Sequence, residues 1–190
     1  MGHREDLLEG AKRCLLEKGY ARTTARDIVA ASGTNLASIG YHYGSKEALL
    51  NQAFVAVAEE WGDSFGPRGS GAEPAGGAPE RLAAVWEEVI GAFEQSKALW
   101  RLQFEIVSRL EREPELKKAL AGPQLSVRHG LARSFQDVDP EQDPEKARLI
   151  GTVYQALLTG VMAQWLIDPE TAPGAGELTD GLRAIMAGDD

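Results

Sequence analysis

The run Thr23-Thr24-Ala25-Arg26-Asp27-Ile28-Val29-Ala30-Ala31-Ser32-Gly33-Thr34-Asn35-Leu36-Ala37-Ser38-Ile39-Gly40-Tyr41-His42-Tyr43-Gly44-Ser45-Lys46-Glu47-Ala48-Leu49-Leu50 decides the fold of this chain. It is punctuated by glycine, and each segment opens on a residue whose side chain can cap a helix. Thr24 is such a cap, and Asp27 three positions on completes something close to a capping box, in which side chains satisfy the free amides of the first turn. The helix it starts spans about 25–32, turns Ile28 and Ala31 inward and stops at Gly33. Asn35 caps a second helix over about 36–42, which Gly44 breaks. Ser45 caps a third, which begins at Lys46 and reaches about Glu60. Upstream, Leu7, Leu8, Ala11, Cys14 and Leu15 recur at the spacing of one apolar helical stripe within residues 4–19, and Gly19 supplies a C-cap.

Beyond this head, residues 62–79 are dense in glycine and proline and read as a flexible connection. Further helices are predicted over about 80–95, 97–111, 114–134, 144–167 and 177–187, with Pro79, Pro114 and Pro144 at first-turn or just-before-helix positions. No strand alternation competes with the helical period. The expected fold class is therefore all-α, about nine helices, with a head over 1–50 linked through helix 46–60 to a helical body over 51–190.

The net charge of −9 argues at first against a nucleic-acid partner, but it is unevenly spread. Residues 1–50 carry 7 Lys and Arg against 6 Asp and Glu, whereas residues 51–190 carry 13 against 23. A near-neutral head can still hold phosphate if its cations share a face, and an acidic body limits non-specific affinity. The N-terminus runs straight into charges without the apolar core of a signal peptide. No window approaches 18 uninterrupted apolar residues, so no membrane association is expected and the chain reads as cytoplasmic. The lone Cys14 reads as a small core residue. His3, His42 and His129 are scattered and form no ligand cluster, so neither a metal nor another cofactor is expected. Nucleophile triads and phosphate-cradling loops are also missing, which argues against an enzyme.

Two short helices joined by a glycine-containing turn and braced by a preceding helix make a helix-turn-helix. On a helical wheel over 36–43, Leu36, Ile39 and Tyr43 cluster on the side that packs, while Tyr41 points the other way beside Ala37 and Ser38. An exposed tyrosine among small residues suits entry into a groove. Residues 7–54, with the run quoted above, resemble very closely the DNA-binding signature of the TetR/AcrR family of transcriptional regulators. The resemblance implies an N-terminal three-helix helix-turn-helix domain and a C-terminal effector-binding and dimerisation domain. It implies three partners: a palindromic double-stranded DNA operator, a second copy in a homodimer, and a small-molecule effector of unknown identity. Thr24 would contact phosphate at the start of the second helix, and Lys46 would bind another at the start of the fourth. Asn35, Leu36, Ala37, Ser38, Gly40, Tyr41 and His42 would face the major groove or its walls. Gly40 departs from the aromatic that many members carry there, so the operator sequence does not transfer from relatives.

The body concentrates its aromatic residues. Trp86 and Phe93 are expected seven apart on one helix, Trp100 and Phe104 four apart on the next. These could line an effector pocket with Tyr154, given polar contacts from Gln103, Glu105, Ser108, Arg109 or Gln155; plain core packing fits them equally well. The resemblance places the dimer interface on the last two long helices, through Val153, Leu157, Gly160, Val161, Gln164, Leu178, Leu182 and Ile185. The expected function is a sequence-specific, ligand-responsive transcriptional repressor. The other reading, suggested by Gly40 and the acidic charge, is a helical protein-interaction module with a degenerate DNA-binding head.

Overall fold

The computed structural model describes the backbone of residues 2–63 and 78–187, and every regular element among them is a helix. Ten helices run in order: α1 His3–Lys18, α2 Ala25–Ser32, α3 Leu36–Tyr43, α4 Lys46–Asp63, α5 Ala78–Gly91, α6 Phe93–Val107, α7 Pro114–Ala121, α8 Gln124–Gln136, α9 Pro144–Ile167 and α10 Ala175–Ala187. Of the connection expected over 62–79, residues 64–77 lie outside the described residues; residues 62–63 end α4 and 78–79 begin α5.

The capping signals act where the sequence puts them. The Thr24 hydroxyl accepts from the Asp27 amide at 3.2 Å and the Asp27 carboxylate accepts from the Thr24 amide at 2.8 Å. This closes the first turn of α2 reciprocally. The Asn35 side chain accepts from the Ser38 amide at 3.1 Å, and Ser45 accepts from the Ala48 amide at 3.0 Å. Gly33, with φ 68° and ψ 19°, ends α2 in the left-handed region that penalises any residue bearing a Cβ.

Several helix boundaries differ from expectation. The helix expected over 114–134 is two helices, α7 and α8, because Gly122-Pro123 interrupts it. A proline amide cannot join the helical ladder, and its ring disfavours helical backbone in the residue before it. The break between α5 and α6 falls at Ala92 after Gly91. Trp86 and Phe93 therefore sit on consecutive helices rather than on one, and α6 ends at Val107, so that Ser108 and Arg109 lie beyond it.

The chain divides into two compact units, one of residues 1–60 and 98–123, the other of residues 61–97 and 124–190. In the first, the α1 stripe is buried at Leu7, Ala11, Cys14 and Leu15 and half-buried at Leu8, its edge, and it packs in a core with Ile28 of α2, Ile39 and Tyr43 of α3, and Leu49, Leu50, Ala53 and Phe54 of α4. Cys14 is a core residue whose thiol is pushed above its usual range, first by burial. Gly10 lets α1 approach α2 closely, since a Cβ there would meet the Ser32 Cβ at 2.8 Å. Lys12 is nearly buried on α1, and pairs with Glu9 at 2.9 Å and with Glu60 of α4.

In the second unit α8 and α9 lie against each other at very short range. Gly151 of α9 makes that possible, because a Cβ there would run into the Arg128 carbonyl of α8. The Arg128 guanidinium donates to Gln155 at 3.0 Å, and Gln155 in turn donates to Gln124 at 2.7 Å. Trp86, Phe135 and Tyr154 form an aromatic chain, with centroids 5.1 Å apart edge-on and then 4.4 Å apart stacked. The α9 helix contains no long uninterrupted apolar run, yet its 24 residues include an 18-residue window of mean hydropathy 1.3 with at most two charged residues. By length and composition alone it could cross a membrane. One side of it is buried, through Ala147, Gly151, Tyr154, Leu158, Val161 and Met162. The other exposes Leu149, Val153, Ala156, Gly160, Gln164 and Ile167, steps of three and four residues that make one continuous stripe.

Candidate nucleic-acid interface

The candidate surface is built on α2 and α3 of the first unit. Ile39 and Tyr43 anchor α3 from below, and the Tyr43 hydroxyl donates to the Arg4 carbonyl of α1 at 2.6 Å. With that face fixed, the helical period turns Tyr41 outward, and it is 86% exposed. Its ring meets that of His42 edge-on at 4.8 Å. Asn35, Ala37 and Gly40 are exposed, while Ser38 and His42 are half-buried. Leu36 corrects the helical wheel. Instead of packing with Ile39 and Tyr43 it is 52% exposed, because it opens the helix and the inner elements do not reach over its first turn. Gly40 has open space around it: an added Cβ would meet nothing within 4 Å.

The phosphate-contact candidates sit in a defined hydrogen-bond network. Thr24 is exposed, but its hydroxyl proton is already committed to the Asp27 carboxylate at 2.6 Å. What the start of α2 offers an anion is its free backbone amides and the positive end of the helix dipole. The Asp27 charge there is countered by Lys18 at 2.5 Å. The hydrogen bond from Lys18, and after it those from Thr24, hold the Asp27 carboxyl well below the usual carboxylate range. Lys46 is half-buried, donates to the Thr23 carbonyl at 3.3 Å and pairs with Glu47 at 3.3 Å. It ties the start of α4 to the start of α2. Sequence reasoning passed over two residues here. Thr23 is buried, and its hydroxyl donates back to the Gly19 carbonyl at 2.7 Å and the Cys14 carbonyl at 3.1 Å. Arg26, one position inside α2, is exposed and holds no partner among the described residues. Its place directly after the cap was the available signal.

The residues expected to line an effector pocket divide between the units. Trp86, Phe93 and Tyr154 belong to the second, all buried, and the Tyr154 hydroxyl accepts from Gln136 at 2.6 Å. The Trp86 indole nitrogen is buried with no hydrogen-bond partner among the described residues. Trp100, Gln103, Phe104 and Ser108 belong to the first; Trp100 is buried, Gln103 and Phe104 are half-buried. Ser108 lies beyond α6, exposed, with its hydroxyl committed to the Glu105 carbonyl at 2.6 Å, so it lines no interior. Glu105 and Arg109 are likewise committed, to the backbone amides of Tyr20 and Ala21 and to Glu113.

Of the residues expected at a dimer interface, Val153, Gly160 and Gln164 lie on the exposed stripe of α9, and Ile185 of α10 is 79% exposed. Leu157, Leu178 and Leu182 are half-buried. Val161 is a correction: it is 3% exposed and faces inward, because α9 is apolar on both sides and this position falls on the inner one.

Residues 7–53 match the family model described as "Bacterial regulatory proteins, tetR family". Residues 78–187, more than half of the chain, match "BetI-type transcriptional repressor, C-terminal". The chain belongs to the TetR family. Among TetR-family relatives, it is 42% identical over 57 residues to the HTH-type transcriptional repressor AcnR of Corynebacterium efficiens. That match covers 30% of this chain and 28% of AcnR, so the chain spans less than a third of that relative's length in the match. The solved structure of the transcriptional regulator SCO7518 from Streptomyces coelicolor A3(2) superposes with a TM-score of 0.70 at 23% identity, covering 95% of each chain. The multidrug binding protein EbrR complexed with proflavin superposes with a TM-score of 0.64 at 21% identity, covering 96% of this chain and 98% of that one. These two structures share the all-helical TetR fold with this chain.

Proposed function

We propose that this TetR-family regulator is a homodimeric, ligand-responsive repressor that binds a palindromic DNA operator through α2 and α3. The observation that carries the reading is Tyr41. A large aromatic stands almost wholly in solvent on a helix whose opposite face is locked down by Ile39 and Tyr43. Such a residue contributes little to folding and is placed to meet a partner. Leu36, Ala37, Ser38, Gly40, Tyr41 and His42 would read the major groove, with Asn35 at its wall. The amides at the start of α2, with Thr24, Arg26 and Lys46, would hold phosphates and set the register.

Dimerisation is supported by the stripe Leu149, Val153, Ala156, Gly160, Gln164 and Ile167. Its apolar and small residues at three- and four-residue steps suit a second helix packed closely against it. Ile185, Leu178 and Leu182 on α10 would extend that surface. Pairing α9 with its copy covers an apolar face that would otherwise favour lipid, and fits a cytoplasmic protein. The two copies of α3 would then reach successive major grooves, about 34 Å apart. An effector entering the second unit would favour a different spacing, and by linkage DNA and effector would weaken each other by one factor. The Trp86 indole donor, without a partner among the described residues and packed on Phe135, which stacks on Tyr154, would favour a flat, largely apolar effector bearing an acceptor.

The test is binding of the full-length protein to duplexes selected from random sequence, measured across salt concentrations. The expected result is a palindromic consensus and a steep linear fall of log affinity with log salt. Failure to enrich any sequence, with weak and shallow salt dependence, would overturn the reading in favour of a protein-interaction module. Sedimentation that shows only a 20.5 kDa species at micromolar concentration would remove the dimer.

A further inference from the structure

The corner between α1 and α2 is held from a point more than eighty residues away in sequence. Glu105, near the end of α6, presents its carboxylate to the two amides that follow the α1 C-cap. The Tyr20 amide donates to Oε2 at 3.1 Å and the Ala21 amide donates to Oε1 at 2.8 Å. Each oxygen takes one N–H, and a carboxylate acceptor makes both bonds charge-assisted. Gly19 is part of the same device. Its φ is 82°, which strains any residue with a Cβ, and a Cβ at that position would lie 2.6 Å from the Glu105 Oε2, so the carboxylate would have to move off its place. The residue that follows is gripped at three points. The Tyr20 backbone is held by Glu105, the Arg109 guanidinium lies 5.2 Å over its ring centroid, and its hydroxyl donates to Asn51 of α4 at 2.8 Å. Two residues beyond Ala21 comes Thr23, bonded back to α1 through its hydroxyl, and then Thr24, which starts α2.

Solvent could satisfy the amide of the exposed Ala21 without Glu105. The carboxylate therefore is not needed to rescue a stranded donor. What it adds is a fixed position for the corner. We infer that Glu105 is a positioning residue for DNA binding: by clamping the Tyr20 and Ala21 amides it fixes where α2 begins, and with it the amides and side chains at the α2 N-terminus that would meet phosphate. This rests on the DNA-binding reading of the head.

The experiment uses the full-length protein, as wild type and as Glu105→Ala, Glu105→Gln and the exposed control Glu111→Ala. Amide hydrogen exchange is followed residue by residue, and affinity is measured for one duplex selected from random sequence with the wild type. In Glu105→Ala the Tyr20 and Ala21 amides are expected to exchange at least about tenfold faster while the Ile28 amide inside α2 is unchanged, and the Kd for the duplex to rise about tenfold. Glu105→Gln keeps one acceptor oxygen and should fall between. Glu111→Ala should match wild type in both. Unchanged exchange at Tyr20 and Ala21 overturns the clamp. Faster exchange with an unchanged Kd also overturns the inference, because the clamp would then be structural only. If Glu105→Ala does not fold, the same two readings are taken on Glu105→Gln. A wild type that enriches no duplex removes the DNA-binding reading and this inference with it, whereas a wild type that binds beside a Glu105→Ala variant of equal affinity removes this inference alone.

Discussion

Truncating Tyr41 to alanine should separate binding from folding. At 86% exposure only about a seventh of the residue is covered. For an aromatic side chain of roughly 200 Å², that is on the order of 30 Å² of contact, worth about 0.7 kcal/mol at 25 cal/mol/Å². Replacing tyrosine by alanine inside a helix returns about 0.5 kcal/mol of intrinsic propensity. The two nearly cancel, so the melting temperature of Tyr41→Ala should stay within about 2 °C of wild type. If the ring enters a groove, the same change removes contacts to a base edge or a phosphate. The cost is then about 1–3 kcal/mol, a rise in Kd of about 5- to 150-fold. Fluorescence anisotropy on a labelled selected duplex at fixed salt, beside a thermal melt of the same preparation, reads both numbers. A Kd equal to wild type in a variant that still dimerises would refute the placement of Tyr41 on the reading surface. A melting temperature lower by several degrees would refute the argument from exposure and make Tyr41 a packing residue.

Three further outcomes are expected. Val153→Glu puts a carboxylate on the exposed stripe of α9, where a paired copy would bury it without a partner at a cost of about 3–5 kcal/mol; analytical ultracentrifugation should show dissociation to monomer with helicity retained, and an unchanged sedimentation profile would move the interface elsewhere. Gly151→Ala gains about 1 kcal/mol of helix propensity but drives a methyl into the Arg128 carbonyl, so the net effect should be destabilising by about 1–3 kcal/mol in chemical denaturation; an equal or higher denaturation midpoint would show that α8 and α9 can separate freely. Asp27 has a folded-state pKa below its unfolded value near about 3.9, so its contribution is present above that pH and is lost as pH falls through the lower folded value. Wild type should therefore lose stability more steeply than Asp27→Asn below about pH 4, and parallel acid titrations of the two melting temperatures would contradict the Lys18–Asp27–Thr24 network.

What could be read in the sequence was local. Thr24 with Asp27, Asn35 and Ser45 cap their own helices, and Gly33 ends one, because each acts on amides or carbonyls within a few residues. The outward direction of Tyr41 followed from a period that the anchoring of Ile39 and Tyr43 does not disturb. Leu36 was misjudged because a wheel gives an angle and says nothing about how far the neighbouring helix extends. Gly122-Pro123 did announce the break between α7 and α8, and the periodic apolar residues on either side masked it. Val161 was unreadable in principle, since a helix apolar on two faces carries no mark of which face turns inward. Least legible was the Glu105 clamp: it joins groups 84 and 85 residues apart, and nothing in the local pattern of either segment refers to the other.

The vacancy around Gly40 has a consequence for how this regulator acquires its target. Any other residue except proline would favour the helix at that position, and an added Cβ would meet nothing within 4 Å among the described residues. The fold therefore imposes no steric demand for a bare backbone there. On the proposed DNA-binding reading, Gly40 would be an unoccupied letter in the recognition alphabet of α3. If α3 reads the groove as proposed, a methyl at that position should change which sequence is preferred without colliding with the described residues.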